Sequence, residues 1–136
     1  MATESELRLM IERAFAKRTA RMQTVDKCND QLARLEPIYK RLSEIKKDLR
    51  SARKSTEKMF EEKGNWRGEK YVAYRSAGSE LDGICGDYYK QLDAAHDAIN
   101  VKIGELRAAR AEAISDIGIL LGQIERWSIE LKNNWN

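Results

Sequence analysis

Apolar residues return at alternating steps of three and four through the first half of the chain: Leu35, Ile38, Leu42, Ile45, Leu49 and Ala52, then Thr56 and Met59. Such a repeat keeps one side of an α-helix apolar and predicts a helix with coiled-coil packing. Upstream, Leu7, Ile11, Ala14, Arg18, Met22, Val25 and Cys28 continue a looser stripe, so a first arm is expected over residues 5–63. Pro37 interrupts that arm. A proline in a helix interior lacks the N–H of one hydrogen bond and costs about 3 kcal/mol, so a kink near residues 33–37, or two consecutive helices, is expected.

Gly64 and Asn65 are the one cluster of turn formers between the periodic stretches, and Asn65 can cap a following helix. The turn is therefore placed at residues 64–68 and a second arm at residues 69–133. Tyr71, Tyr74, Gly78, Leu81, Cys85, Tyr88, Leu92, Ala95 and Ile99 form its first stripe. The pattern then slips and resumes as Ile103, Leu106, Ile114, Ile117, Leu121, Ile124 and Leu131. Folding the arms together about residue 66 sets the slip near residue 101 opposite residues near 30, where the first arm changes phase between Cys28 and Leu35. The expected fold is all-α: one domain over residues 1–136, a long antiparallel helical hairpin with coiled-coil-like packing.

Composition narrows the picture further. Charged residues make up 35% of the chain and there is a single proline, the mixture typical of long or coiled helices. Residues 1–63 carry 16 Lys/Arg against 11 Asp/Glu, and residues 64–136 carry 9 against 11, so the arms have opposite net signs that favour lying side by side. No signal peptide precedes the polar start Met-Ala-Thr-Glu-Ser-Glu, and the most apolar window, Ile114 to Ile124, is too short and too interrupted to span a bilayer. Cys28 and Cys85 lack the close spacing of a zinc site and fall at different levels of the hairpin, so free buried thiols are expected.

Catalytic chemistry finds no foothold. The one histidine, His96, has Asp93 and Asp97 nearby but no Ser or Cys at a helical spacing that would bring it to the imidazole; a solvent-facing residue is expected. Gly64–Gly68 lacks the Gly-Lys-Ser/Thr ending of a phosphate loop. No paired carboxylates suggest a metal, and no cofactor is implied. The basic run Lys40, Arg41, Lys46, Lys47, Arg50, Arg53, Lys54 and Lys58 is interleaved with acids, as on the solvated face of a coiled coil, so nucleic acid is not the expected ligand. Gly78, Gly83, Gly86, Gly118 and Gly122 lie within helical patterns at a cost of about 1 kcal/mol each, which leaves close packing inside the hairpin or a seat for a partner helix.

The distinctive element is Asn65-Trp66-Arg67-Gly68-Glu69-Lys70-Tyr71, a tryptophan at the single expected bend with glycine two residues on and heptads on both sides. In that context the chain resembles the WXG superfamily of small helical hairpins tied to type VII (ESX-like) secretion in Gram-positive bacteria, in which Trp-X-Gly marks the inter-helix loop. Its length, its heptads before the turn and the continuation Tyr71, Tyr74 are most similar to the YwqH-like accessory proteins associated with LXG toxins. The resemblance implies that Trp66 and Gly68 form the turn motif, and that Tyr89 and Asp93, spaced as aromatic-x-x-x-acidic, match the family's export or targeting signal.

What the resemblance further implies is a non-catalytic, chaperone-like targeting factor. It would pair with the N-terminal helical domain of a cognate LXG toxin, and a second small helical accessory protein is a further partner of that kind. The protein would be cytoplasmic, or co-exported with its cargo, without entering the membrane. Residues expected to serve the hairpin seam or a partner interface are Tyr71, Tyr74, Leu81, Tyr88, Leu92, Ile99, Leu106, Ile117 and Trp127, with Trp135 beside the last. The alternative is a structural coiled-coil homodimer, or another helical interaction module, with no role in secretion.

Overall fold

The structure, a computed structural model, describes residues 2–62 and 68–135, without the side chains of residues 60–62 and 69–71. Helix α1 spans Glu4–Glu62 and helix α2 spans Glu69–Trp135, and the two pack against each other as an all-α helical hairpin. Among the described residues there is no strand.

Local chemistry fixes where each helix starts. Thr3 and Glu6 form a reciprocal capping box: the Glu6 amide donates to Thr3 Oγ1 at 3.2 Å and the Thr3 amide donates to Glu6 Oε2 at 3.1 Å. At the other helix, Gly68 has φ +86° and its carbonyl accepts from the Val72 amide at 3.2 Å. A left-handed residue directly before α2 lets the chain swing into the helix, and glycine takes that conformation without a Cβ penalty. The cap expected at Asn65 therefore falls three residues later in the sequence; Gly64, Asn65, Trp66 and Arg67 themselves lie outside the described residues.

Pro37 lies inside α1 without ending it, so the alternative of two consecutive helices does not occur. Pro37 and Ala33, whose carbonyl loses its helical donor to the proline ring, are both exposed, so the lost hydrogen bond falls on the solvent side of the helix.

Two compact units divide the chain, a terminal unit of residues 1–34 with 103–136 and a turn-end unit of residues 35–102. The divisions fall near the two levels at which the apolar stripes were expected to change phase. Within the terminal unit the seam is apolar: Leu7, Ala14, Cys28 and Leu32 on α1 and Ile103, Leu106, Ala113 and Ile124 on α2 are buried. Leu32 and Ile103 fill the supposed phase break, so the heptad spacing runs on through Cys28, Leu32 and Leu35 on one helix and Ile99, Ile103 and Leu106 on the other. The turn-end unit has no buried large side chain among the described residues; its one buried residue is Gly78.

Antiparallel register is set by polar pairs. A reversal about residue 66 would set Ser43 opposite Tyr89, but Ser43 Oγ lies 2.8 Å from His96 Nε2, about two turns further along α2. Lys46 with Asp93 and Arg50 with Tyr89 keep the same offset, and so does Arg110 with Asn29 in the terminal unit. The reversal is thus centred nearer Glu69 than Trp66.

Candidate partner-binding face

Lettering the seam as heptad positions a and d shows how each helix of the turn-end unit is arranged. On α1 the seam runs Leu35, Tyr39, Leu42, Lys46, Leu49, Arg53 and Thr56, and on α2 it runs Gly78, Asp82, Cys85, Tyr89, Leu92, His96 and Ile99; all are buried or half-buried. Several seam positions carry polar or charged groups, and these explain the absence of a buried apolar core. The bidentate pair is Arg53 with Asp82, Nε donating to Oδ1 at 2.6 Å and Nη2 to Oδ2 at 3.1 Å. Arg53 lies across Gly86, whose missing side chain leaves it room: a Cβ there would meet the guanidinium at 3.6 Å.

Hydrogen bonding to Arg53 holds the Asp82 carboxyl below its usual range, and hydrogen bonding to Lys46 does the same for Asp93. Lys46 and Arg53 are raised by the same bonds. Tyr89 is held between two cations, with Lys46 and Arg50 each 5.5 Å from its ring centroid. The aromatic-acidic pair Tyr89 and Asp93 thus stands one turn apart on α2, as its spacing requires, with both side chains engaged by α1.

His96 is not solvent-facing: it is half-buried, stacked on Tyr39 at a centroid distance of 4.2 Å and bonded to Ser43 from the opposite helix. A search of same-helix spacings could not have found Ser43. The group has the spacing of a nucleophile and base but, among the described residues, no third group that orients the imidazole. Ser43 Oγ is within hydrogen-bond reach of both the Tyr39 carbonyl, at 3.1 Å, and the imidazole, whose tautomer decides which of the two receives the hydroxyl proton. Asp93 is committed to Lys46, and helical amides bonded within their own helix provide no oxyanion hole. Among the described residues, no group of His, Cys, Asp and Glu has the arrangement of a metal site. No helix there is long and apolar enough to cross a membrane.

Among the described residues, the cross-helix pairs made by Ser43, Lys46, Arg50 and Arg53 lie on the seam or on its e edge. The opposite edge, position g, is apolar on both helices up to Lys102 at the limit of the unit: Ile38, Ile45, Ala52 and Met59 on α1, and Tyr74, Leu81, Tyr88 and Ala95 on α2. Beside the g row of α2, position c adds Ala77, Ile84 and Ala98, with the polar Gln91 between the last two. Together Ala77, Leu81, Ile84, Tyr88, Ala95 and Ala98 form a second heptad stripe on α2, with nothing packed on it. Leu81 is 45% exposed, Ile84 59% and Tyr88 51%.

The structure thereby divides the residues that the sequence could only group. Leu81 and Tyr88 face outward; Leu92, Ile99, Leu106, Ile117 and Trp127 lie on the seam inside the hairpin. Tyr74 is half-buried at the edge of the groove, and the side chain of Tyr71 lies outside the described residues. Trp135 is half-buried at the end of α2, and Trp127 borders a shallow groove with Met10, Ala14 and Leu120.

Ile38, Ile114 and Leu121, expected on the seam, are exposed instead, because Tyr39, Ala113 and Leu120 hold the neighbouring seam positions; Met22 and Met59, expected there too, are also exposed. Ile84 and Phe15 lie outside the stripes read from the sequence; the overlapping repeat 77-81-84-88 is the signal that finds the first. Phe15 and Met22 on α1 with Ile114 and Leu121 on α2 make a smaller apolar patch on the e edge of the terminal unit.

Gly83, Gly118 and Gly122 face open space, so packing inside the hairpin does not account for them. Cys28 is buried, Cys85 is half-buried, and both thiols are free. The chain matches no family model, no curated protein and no solved structure.

Proposed function

We propose that this protein is a non-catalytic helical adaptor that pairs with the N-terminal helical domain of an LXG toxin and serves its targeting to type VII secretion. The observation that carries the reading is the outward apolar stripe of Leu81, Ile84 and Tyr88 on a hairpin whose own seam is already filled. Contiguous exposed apolar surface of this kind on a helix favours a partner helix. The Trp66-Arg67-Gly68 segment, midway between two heptad arms, supports the secretion context by resemblance.

Magnitudes constrain the partner. Covering a half-exposed Leu, Ile, Met or Tyr yields roughly 1 kcal/mol, so this face supplies about 5 kcal/mol, comparable to the low end of what association costs. A stable complex therefore needs a partner that brings an apolar stripe of its own, as a helical toxin domain does. Tyr89 and Asp93 remain the candidates for a targeting signal; a receptor reading them has to compete with Lys46 and Arg50.

The test is co-expression of this chain with the N-terminal helical domain of an LXG toxin. Retention of that domain on the tagged chain, lost on Leu81→Glu with Tyr88→Glu, supports the adaptor. A self-dimer indifferent to the toxin domain supports the homodimer reading in its place.

A further inference from the structure

The outward stripe has banks as well as a floor, and the banks are acidic. On α2 the row next to Ile84 and Leu81 carries Glu80 and Asp87, one heptad apart; on α1 the row next to Ile45 and Ala52 carries Asp48. All three are exposed, and none has an ion-pair partner among the described residues. The one cation on the α1 bank, Arg41, is tied to Glu44 at 3.3 Å. The cations without ion pairs on the heptad row Lys40, Lys47 and Lys54 stand on the other side of α1, beside the e edge. The turn-end unit is therefore polarised, with an apolar groove between acidic banks on one side and a lysine row on the other.

We infer that the groove between α1 and α2 of the turn-end unit takes a basic amphipathic helix, whose apolar stripe covers Leu81, Ile84 and Tyr88 and whose flanking Lys/Arg residues face Asp48, Glu80 and Asp87. This deepens the adaptor reading and rests on it, naming the chemistry of the partner segment. Charges flanking a helix seam choose the partner, because matched signs attract and like signs repel across the packed stripe. The same acids oppose a second copy in this seat. An antiparallel self-pairing that stacks Ile84 on Tyr88 sets Asp87 against Asp87, and one that stacks Ile84 on Leu81 sets Asp87 against Glu80.

Two synthetic helical peptides with identical Leu/Ile heptads, one with Lys at the flanking positions and one with Glu, test this by fluorescence anisotropy on the full chain. The expected result is binding of the Lys peptide at least tenfold tighter than the Glu peptide, with the preference weakened by added salt. Glu80→Lys with Asp87→Lys is expected to shift the ratio of the two affinities toward the Glu peptide by roughly tenfold, and Leu81→Glu with Tyr88→Glu to abolish both. Circular dichroism controls for folding, since all four positions are exposed or half-exposed.

Equal binding of the two peptides, binding of neither, or no response to charge reversal overturns the proposal. So does a dimer of the chain alone that Leu81→Glu dissolves. If neither peptide binds but the toxin domain is still retained, the groove assignment fails and the adaptor reading stands. If the Lys peptide binds as expected but the toxin domain is not retained, the adaptor reading fails and the groove's preference for a basic helix stands.

Discussion

Leu32 and Leu81 are both leucines in a heptad stripe, and only burial tells them apart: 3% of Leu32 is exposed against 45% of Leu81. Truncating Leu32 leaves a cavity in the terminal seam, so Leu32→Ala is expected to cost about 2 to 5 kcal/mol, whereas Leu81→Ala is expected to cost under about 1 kcal/mol. Thermal and urea unfolding of the two variants checks the difference. At the polar seam of the turn-end unit the sensitive variable is pH. Asp82 and Asp93 are depressed in the folded state by Arg53 and Lys46. Their contribution is complete above the unfolded carboxylate value of about 4 and is lost as pH falls through the lower folded values. The raised Lys46 has the opposite sense, contributing below its unfolded value and losing that contribution as pH rises through the folded one. Residues 35–102 are therefore expected to lose helical order on acidification before the apolar terminal unit does. Amide NMR peaks followed from about pH 7 to about pH 2.5 report this, and Asp93→Asn is expected to remove part of the acid sensitivity.

At the scale of the helices, α2 carries two heptad stripes that overlap in sequence, and glycines where nothing packs. A methyl group added at Gly118 or Gly122 would meet no atom within 4 Å, so Gly118→Ala and Gly122→Ala are each expected to stabilise the helix by about 1 kcal/mol. Gly68 behaves in the opposite way: its φ of +86° makes Gly68→Ala destabilising by about 1 kcal/mol, and melting temperatures of the three variants check the signs. The two helices, their limits within a residue or two and the midpoint reversal were legible in the sequence, because alternating three- and four-residue apolar spacing and the scarcity of breakers leave few other folds. The register was not. Following apolar residues alone leads past Tyr39, Lys46, Arg53, Asp82, Tyr89 and His96, which hold seam positions through cross-helix hydrogen bonds, ion pairs and stacking that no single-helix pattern displays. The same omission places Ile38, Ile114 and Leu121 on the seam and leaves Ile84 unnoticed. His96 escapes a sequence reading for a related reason, since its partners Tyr39 and Ser43 come from the other helix.

For the molecule as a whole, the contrast lies between a terminal unit closed by buried Leu, Ile, Ala and Cys and a turn-end unit held by charge pairs, with apolar residues left on its outer edge. On the reading proposed here, a hairpin that turns its charges inward and keeps Leu81, Ile84 and Tyr88 outward is completed by another helix, and an apolar stripe on that partner supplies the affinity that ion pairs at a wet edge do not. The most direct measurement is hydroxyl-radical footprinting of the chain with and without the co-expressed LXG N-terminal domain. Protection concentrated at Leu81, Ile84 and Tyr88, with Leu92, Ile99 and Leu106 equally shielded in both states, is the expected result. Unchanged labelling of Leu81, Ile84 and Tyr88 in a complex that has formed would contradict it.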